Sequence, residues 1–303
     1  MNRYLKSVAV CLLGSTLLLA SCGGEEEEGE EAGADVSVTD PETEDDPEIK
    51  DEDKVDHRLP TPTRFFEVIA KIGGDLDDGL VNSLDNRDKY TTSASLSLNF
   101  GVYFADLAYM NNYGTNSKTL EYFGMLENIA NDLSIQAIFS EDIMEKMSEG
   151  SEDAEAMYAA SDEVYFNAYT YLEEEEKSDM LSLMLVGGWV ESMYIVTHLV
   201  DEYSENNEII NEIAAQRDVL ESIFEHVANS SMENDDLLEW IDPLDDLMGI
   251  YNESIQNDAT TSSKDDSGRL VIGGGDKVVL DELAFGTIVE KIEAMRASIV
   301  NPQ

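Results

Sequence analysis

From Ser178 to Val200 the sequence is apolar almost without a break, and Gly187 and Gly188 sit in its middle. A helix that is hydrophobic around its whole circumference has no side to give to water, so other helices must wrap it. The rest of the chain supplies that coat. Phe65, Phe66, Ile69 and Ile72 form a stripe at helical spacing behind Pro62, a residue suited to a first turn. The same period predicts helices over Thr92–Met110, Ser117–Asp132, Ser151–Leu172, Asn206–Asn229, Asp235–Ile255 and Leu280–Val300, with the central one over Ser178–Tyr203. Two segments break the pattern. Asp258–Gly268 is polar and rich in Ser and Thr, which predicts a loop. Arg269–Ile272 and Lys277–Leu280, on either side of Gly273-Gly274-Gly275-Asp276, predict a small hairpin. No repeat of 20–50 residues is visible. The fold expected is all-α, an irregular multi-helix bundle with one small β-hairpin near the C-terminus.

Charge then removes whole classes of function. The chain of 303 residues carries 66 acids against 18 Lys and Arg, a formal net charge of −48. A nucleic-acid partner is excluded, because phosphate contacts need basic patches. With two cysteines, Cys11 and Cys22, there is no disulfide framework. The usual nucleotide, metalloprotease and hydrolase motifs are absent from the sequence. Gly74–Gly79 has the acids of a calcium loop but not their register, so it reads as a turn. Glu173–Glu176 falls at a helix end, where acids oppose the helix dipole. The acids imply at most weak binding of divalent cations, and no cofactor is expected.

The first residues are an address. Arg3 and Lys6 precede an apolar run, Val8–Ala20, that is shorter than the roughly 20 residues needed to cross a bilayer. Leu19-Ala20-Ser21-Cys22 resembles the bacterial lipobox, which implies cleavage before Cys22 and lipidation of its thiol. Residues 1–21 are then a signal peptide, and Cys11 leaves with it. Residues 22–56 hold the lipidated cysteine and a tether with 17 acids and two bases, too polar to fold. Residues 57–303 form the helical domain. Acids so close behind a lipidated cysteine resemble the export signal that carries Bacteroidota lipoproteins to the outer face of the outer membrane. The expected partner is therefore the membrane, through the lipid anchor. A surface protein or a glycan is expected beyond it.

Two stretches place polar side chains inside apolar helices. Asn99, Tyr103 and Asp106 share one helical face at i, i+4 and i+7. Glu191, Tyr194 and His198 share another, just after Gly187-Gly188-Trp189. One reading joins the faces into a ligand pocket lined by Asn99, Tyr103, Asp106, Trp189, Glu191, Tyr194 and His198, with the carboxylates paired and His198 as proton acceptor or ligand. The other makes them a buried hydrogen-bond network that sets helix register, with the glycines admitting a neighbouring backbone or Trp189 filling the core. The second is the stronger. Neither reading nominates a catalytic residue or a metal site. His57 and His226 read as ordinary surface or satisfied residues.

Leu59-Pro60-Thr61-Pro62, Lys89-Tyr90-Thr91-Thr92, Leu98–Tyr103 with Ala105-Asp106-Leu107, and Gly187-Gly188-Trp189 with Glu191 together resemble a family of helical lipoproteins of Bacteroidota. The likeness runs from about residue 58 to 200 and returns faintly at Met295-Arg296. It implies a helical fold and an outer-membrane setting, and no activity, since none is established in that family. This chain departs from it in its acidity and in Phe104, where a small residue is expected. The functional expectation is a surface lipoprotein with a non-enzymatic binding or scaffold domain. The alternative is a small-ligand or divalent-cation-binding protein with a polar pocket between buried helices.

Overall fold

The computed structural model describes residues 61–73, 76–113, 116–149, 154–231, 234–264 and 270–302. The signal peptide, Cys22, the acidic tether, His57, Gly74 and Asp75 lie outside them. The chain is all-α with one two-stranded antiparallel sheet. Its helices are α1 (Pro62–Ile72), α2 (Ser93–Asn111), α3 (Asn116–Asp132), α4 (Glu141–Glu149), α5 (Ala154–Glu174), α6 (Ser178–His198), α7 (Glu208–Ala215), α8 (Arg217–Ser230), α9 (Asp235–Glu253) and α10 (Glu282–Val300). Strands β1 (Ile255–Lys264) and β2 (Leu270–Val278) lie between α9 and α10.

Local signals set the ends. The Thr61 side chain accepts from the Arg64 amide and Pro62 opens α1, while Gly73 closes it at a φ of 104° that a side chain would resist. Thr92 and Ser95 form a reciprocal capping box at the start of α2. Asn234 and Asp281 cap α9 and α10 without that reciprocal bond, each side chain taking one of the free amides of the first turn. At the end of α5 the chain leaves the helix at Glu176, whose φ is 56°, within the run of four glutamates.

The core forms around the pair α2 and α6, which share the most extensive contact between helices. From Ser95 to Asn111 every residue of α2 is buried, and α6 is nearly as enclosed. By length and composition α6 is apolar enough to cross a membrane, yet it lies inside the domain as its central helix. Around this pair stand α1, α3, α5, α8 and α10, and α9 closes the far side against α8 and α10. The glycines allow the central crossing. A Cβ on Gly101 would fall on the Met184 carbonyl oxygen, and one on Gly187 would fall on that of Leu98. Gly188 is less confined, since a Cβ there would stand 3.3 Å from the Gly101 oxygen. The two backbones thus touch where other helices would interpose side chains.

Four features differ from the sequence reading. Asn206–Asn229 is two helices, because the Gln216 amide tightens onto Ile213 and its carbonyl starts a new ladder with Leu220. That bend turns both Ile209, Ile210, Ile213 and Leu220, Ile223, Val227 into the core. The hairpin is real but larger and shifted: Asp258–Lys264 belongs to β1 and pairs with β2, while residues 265–269 lie outside the described residues. Gly273–Gly275 are strand residues beside an irregularity in the register between Asp258 and Thr261, where missing side chains ease the bulge. Helix α4 was not legible in advance. Nor was the path of residues 76–92, a strap containing a 3₁₀ turn (Leu84–Lys89) laid over α2 and α3.

Candidate functional site: a buried carboxyl pair and the strap it holds

Helix α2 presents Asp106, α6 presents Glu191 and α10 presents Arg296, and the three meet between the helices. Asp106 and Glu191 are fully buried. Arg296 grips Glu191 with two parallel bonds, Nε to Oε2 at 2.7 Å and Nη2 to Oε1 at 2.8 Å, the fork geometry that makes guanidinium the best partner for a carboxylate. The same Nη2 donates to the Leu80 carbonyl of the strap at 3.0 Å. Below the guanidinium lies the Tyr194 ring, 3.9 Å from Cζ.

One cation for two buried acids leaves one acid in excess. Burial pushes the Asp106 carboxyl well above its ordinary value, and neighbouring Glu191 pushes it further. Burial also raises Glu191, but the Arg296 bonds and charge work against that. Burial works against the charge on Arg296, but the bonds to Glu191 and the neighbouring negative charge together outweigh it and raise its pKa. Asp106 is therefore the group that holds a proton. Its Oδ1 meets no donor, as suits a carboxyl that carries its own proton beside Glu191. The other oxygen, Oδ2, accepts from the Asn82 amide at 3.1 Å.

The rest of the polar cluster holds the strap. Tyr103 donates to the Ser83 carbonyl at 2.9 Å and Tyr122 to that of Asn82 at 2.7 Å. Asn82 Nδ2 donates to Tyr90 at 2.9 Å, and Asn86 Nδ2 donates to Asn82 Oδ1 at 2.7 Å. The Asp77 amide donates to Tyr109 at 3.0 Å. Burial raises the Tyr103 and Tyr122 phenols, so they act only as neutral hydrogen-bond groups. At the surface Arg87 reaches Asn128 and Asp132, Lys118 pairs with Asp78, and Lys89 donates to Asn301 Oδ1 at 2.8 Å. Where the strap turns inward, around Asn82, its backbone amides and carbonyls must be met. Here side chains of α2, α3 and α10 meet them.

The expected pocket residues are thus placed as follows. Asp106, Glu191 and Tyr103 come together, and Tyr194 lies under the arginine that joins them. Asn99 stands apart: its amide donates to the Ser95 and Ile299 carbonyls and so ties α2 to α10. His198 is at the end of α6, stacked 4.1 Å from Tyr194, with Nε2 3.2 Å from Glu293 Oε1. Trp189 projects from another side of α6, into an apolar cavity of about 60 Å³ shared with Phe65, Phe104, Leu181, Met184 and Ile223. Neither Asp106 nor Glu191 lines that cavity. His226 is half-buried against Ser182, 2.8 Å from Nδ1, and burial lowers its pKa. Among the described residues, no group of three or more His, Cys, Asp or Glu is arranged to hold a metal ion.

Sequence reasoning missed Arg296, Asn82, Tyr90 and Tyr122. Arg296 had a signal: it sits between Ile292, Met295 and Ile299 on an otherwise apolar helical face, and two inward carboxylates require a cation. Asn82 had none, for its role depends on where the strap runs. Compared with protein-family models, curated proteins and solved structures, the chain matches none.

Proposed function

We propose that the chain is a membrane-anchored lipoprotein, lipidated at Cys22 and displayed on the outer face of an outer membrane, whose helical domain binds or scaffolds a partner rather than catalysing a reaction. The anchoring rests on Leu19-Ala20-Ser21-Cys22 and the acids that follow. The binding role rests on one observation: the buried polar groups that could have formed a reactive cleft are spent on each other and on the strap. Glu191 is taken by Arg296, and Asp106 by Glu191 and the Asn82 amide. For the alternative, a small ligand or divalent cation in a polar pocket between α2 and α6, this is an obstacle, since a ligand would have to displace Arg296 from Glu191.

The test follows the lipid. Cells producing the chain are fed an alkyne-bearing fatty acid, fractionated, and probed intact with a non-permeant amine label. The expected result is acylated protein in the outer-membrane fraction, labelled on intact cells. Cys22→Ser is expected to abolish acylation. Acylation that persists in Cys22→Ser overturns the anchor, and protection of the wild type from the label overturns the surface setting.

A further inference from the structure

A large concavity lies away from the carboxyl pair. It is a groove of about 920 Å³ between the start of α2, the first half of α9 and the last turns of α10. That volume suits a ligand of several residues. Leu98, Trp240 and Met295 give it an apolar floor. Asp236, Glu239, Asp242 and Asp246 form one wall.

An acidic wall says little in a chain with a net charge of −48. Three further features set this one apart. The groove has a single cation, Lys291, and it is taken by Asp246 at 2.7 Å. The remaining three carboxylates have no ion pair among the described residues, and burial together with Asp236 pushes the Glu239 carboxyl up. Next, Pro243 lies inside α9 on the groove side and has no N–H to give the Glu239 carbonyl one turn before it. A backbone acceptor is left over beside the carboxylates. Finally, Trp240 is buried, with 4% of its surface exposed, and its Nε1 donor makes no hydrogen bond. The Glu239 carboxyl lies beside the indole without reaching hydrogen-bonding geometry.

The groove therefore asks for several cationic donors, an apolar body and one acceptor. A peptide with basic side chains supplies all three, whereas a bare amine or metal ion supplies only the charge. We propose that the groove binds a short extended segment of a basic partner protein. Its arginine or lysine side chains meet Asp236, Glu239 and Asp242, its apolar side chains cover Trp240 and Met295, and a backbone carbonyl meets the Trp240 N–H. The proposal rests on the binding half of the function proposed above and not on the anchoring half, so the lipid test and the test below fail separately.

The probe is an acetylated, amidated hexapeptide alternating leucine and arginine, titrated into the full chain by calorimetry in 0.15 M NaCl, with agmatine, a guanidinium and an ammonium on a four-carbon chain, as the small cation for comparison. Saturable binding of one peptide per chain is expected, at least about tenfold tighter than agmatine. Glu239→Gln/Asp242→Asn is expected to weaken it about tenfold or more. Glu174→Gln/Glu175→Gln, which removes the same charge from exposed positions at the end of α5, is expected to leave it within about twofold. Absence of saturable binding, equal affinity for agmatine, or equal loss in the two double variants overturns the proposal.

Discussion

At Asp106 and Glu191, two fully buried carboxyl groups have different duties, and substitution separates them. Asp106→Asn keeps the shape and the hydrogen bonds of a protonated acid: its carbonyl can accept from Asn82 and its amide can donate to Glu191. Its stability in urea unfolding is expected to stay within about 1 kcal/mol of the parent near pH 4, where both side chains are neutral, and to exceed it near neutral pH. Glu191→Gln instead strands the Arg296 charge in the interior and is expected to lose about 3–5 kcal/mol in the same measurement. The pH dependence carries a definite sign. The unfolded chain releases the Asp106 proton near its ordinary value of 3.8, while the folded chain keeps it to higher pH. Unfolding in that interval releases a proton, so the contribution of Asp106 to stability falls as pH rises from about 4 and levels only where the folded carboxyl itself ionises. Asp106→Asn is expected to lack this decline; parallel curves for both proteins between pH 4.5 and 8 would refute the protonated assignment. The sequence made half of this visible. Helical spacing put Asp106 and Glu191 on inward faces because each face is a local property of its own helix. The arginine that joins them comes from a helix more than a hundred residues beyond Glu191, and no local pattern states which face of α10 meets α6.

Among the elements, the crossing of α2 and α6 makes the most demanding statement about sequence. Gly187→Ala pushes a methyl group into a backbone carbonyl that cannot turn aside, and is expected to lower stability by at least about 3 kcal/mol or to prevent folding. Gly249→Ala is the contrast: that glycine lies on the exposed side of α9 with open space where a Cβ would go, and the change is expected to add about 0.5–1 kcal/mol. Thermal unfolding of the two variants beside the parent checks both. The helices themselves were legible because the apolar period and the caps at Thr92, Asn234 and Asp281 act within a few residues. The break at Gln216 was hidden because the stripes on either side remain in phase with burial. The hairpin was misdrawn because Thr260, Thr261 and Ser262 look like loop residues, although Thr is well suited to an extended chain. The strap was illegible for another reason: its course is set by Tyr103, Tyr122, Asp106 and Arg296 on three separate helices. Tyr122→Phe is expected to cost about 1 kcal/mol and to speed hydrogen exchange at the Asn82 amide, where a purely packing role for the ring would leave exchange unchanged.

Over the whole molecule the surplus of acids acts as a load. At about 0.15 M salt the screening length is roughly 8 Å, so neighbouring surface carboxylates still repel one another, and the repulsion grows as salt is removed. The midpoint of thermal unfolding is expected to rise between low and molar NaCl, and an unchanged midpoint would mean that the folded surface already spaces its charges well enough. The strap adds a constraint of another kind. It begins just after the first helix, yet the groups that fasten it include Arg296 and Asn301, which arrive at the very end of the chain. During synthesis Glu191 is made 105 residues before the arginine that balances its charge. The buried pair and the strap are therefore completed only when α10 docks, which ties the first third of the domain to a helix made long after it.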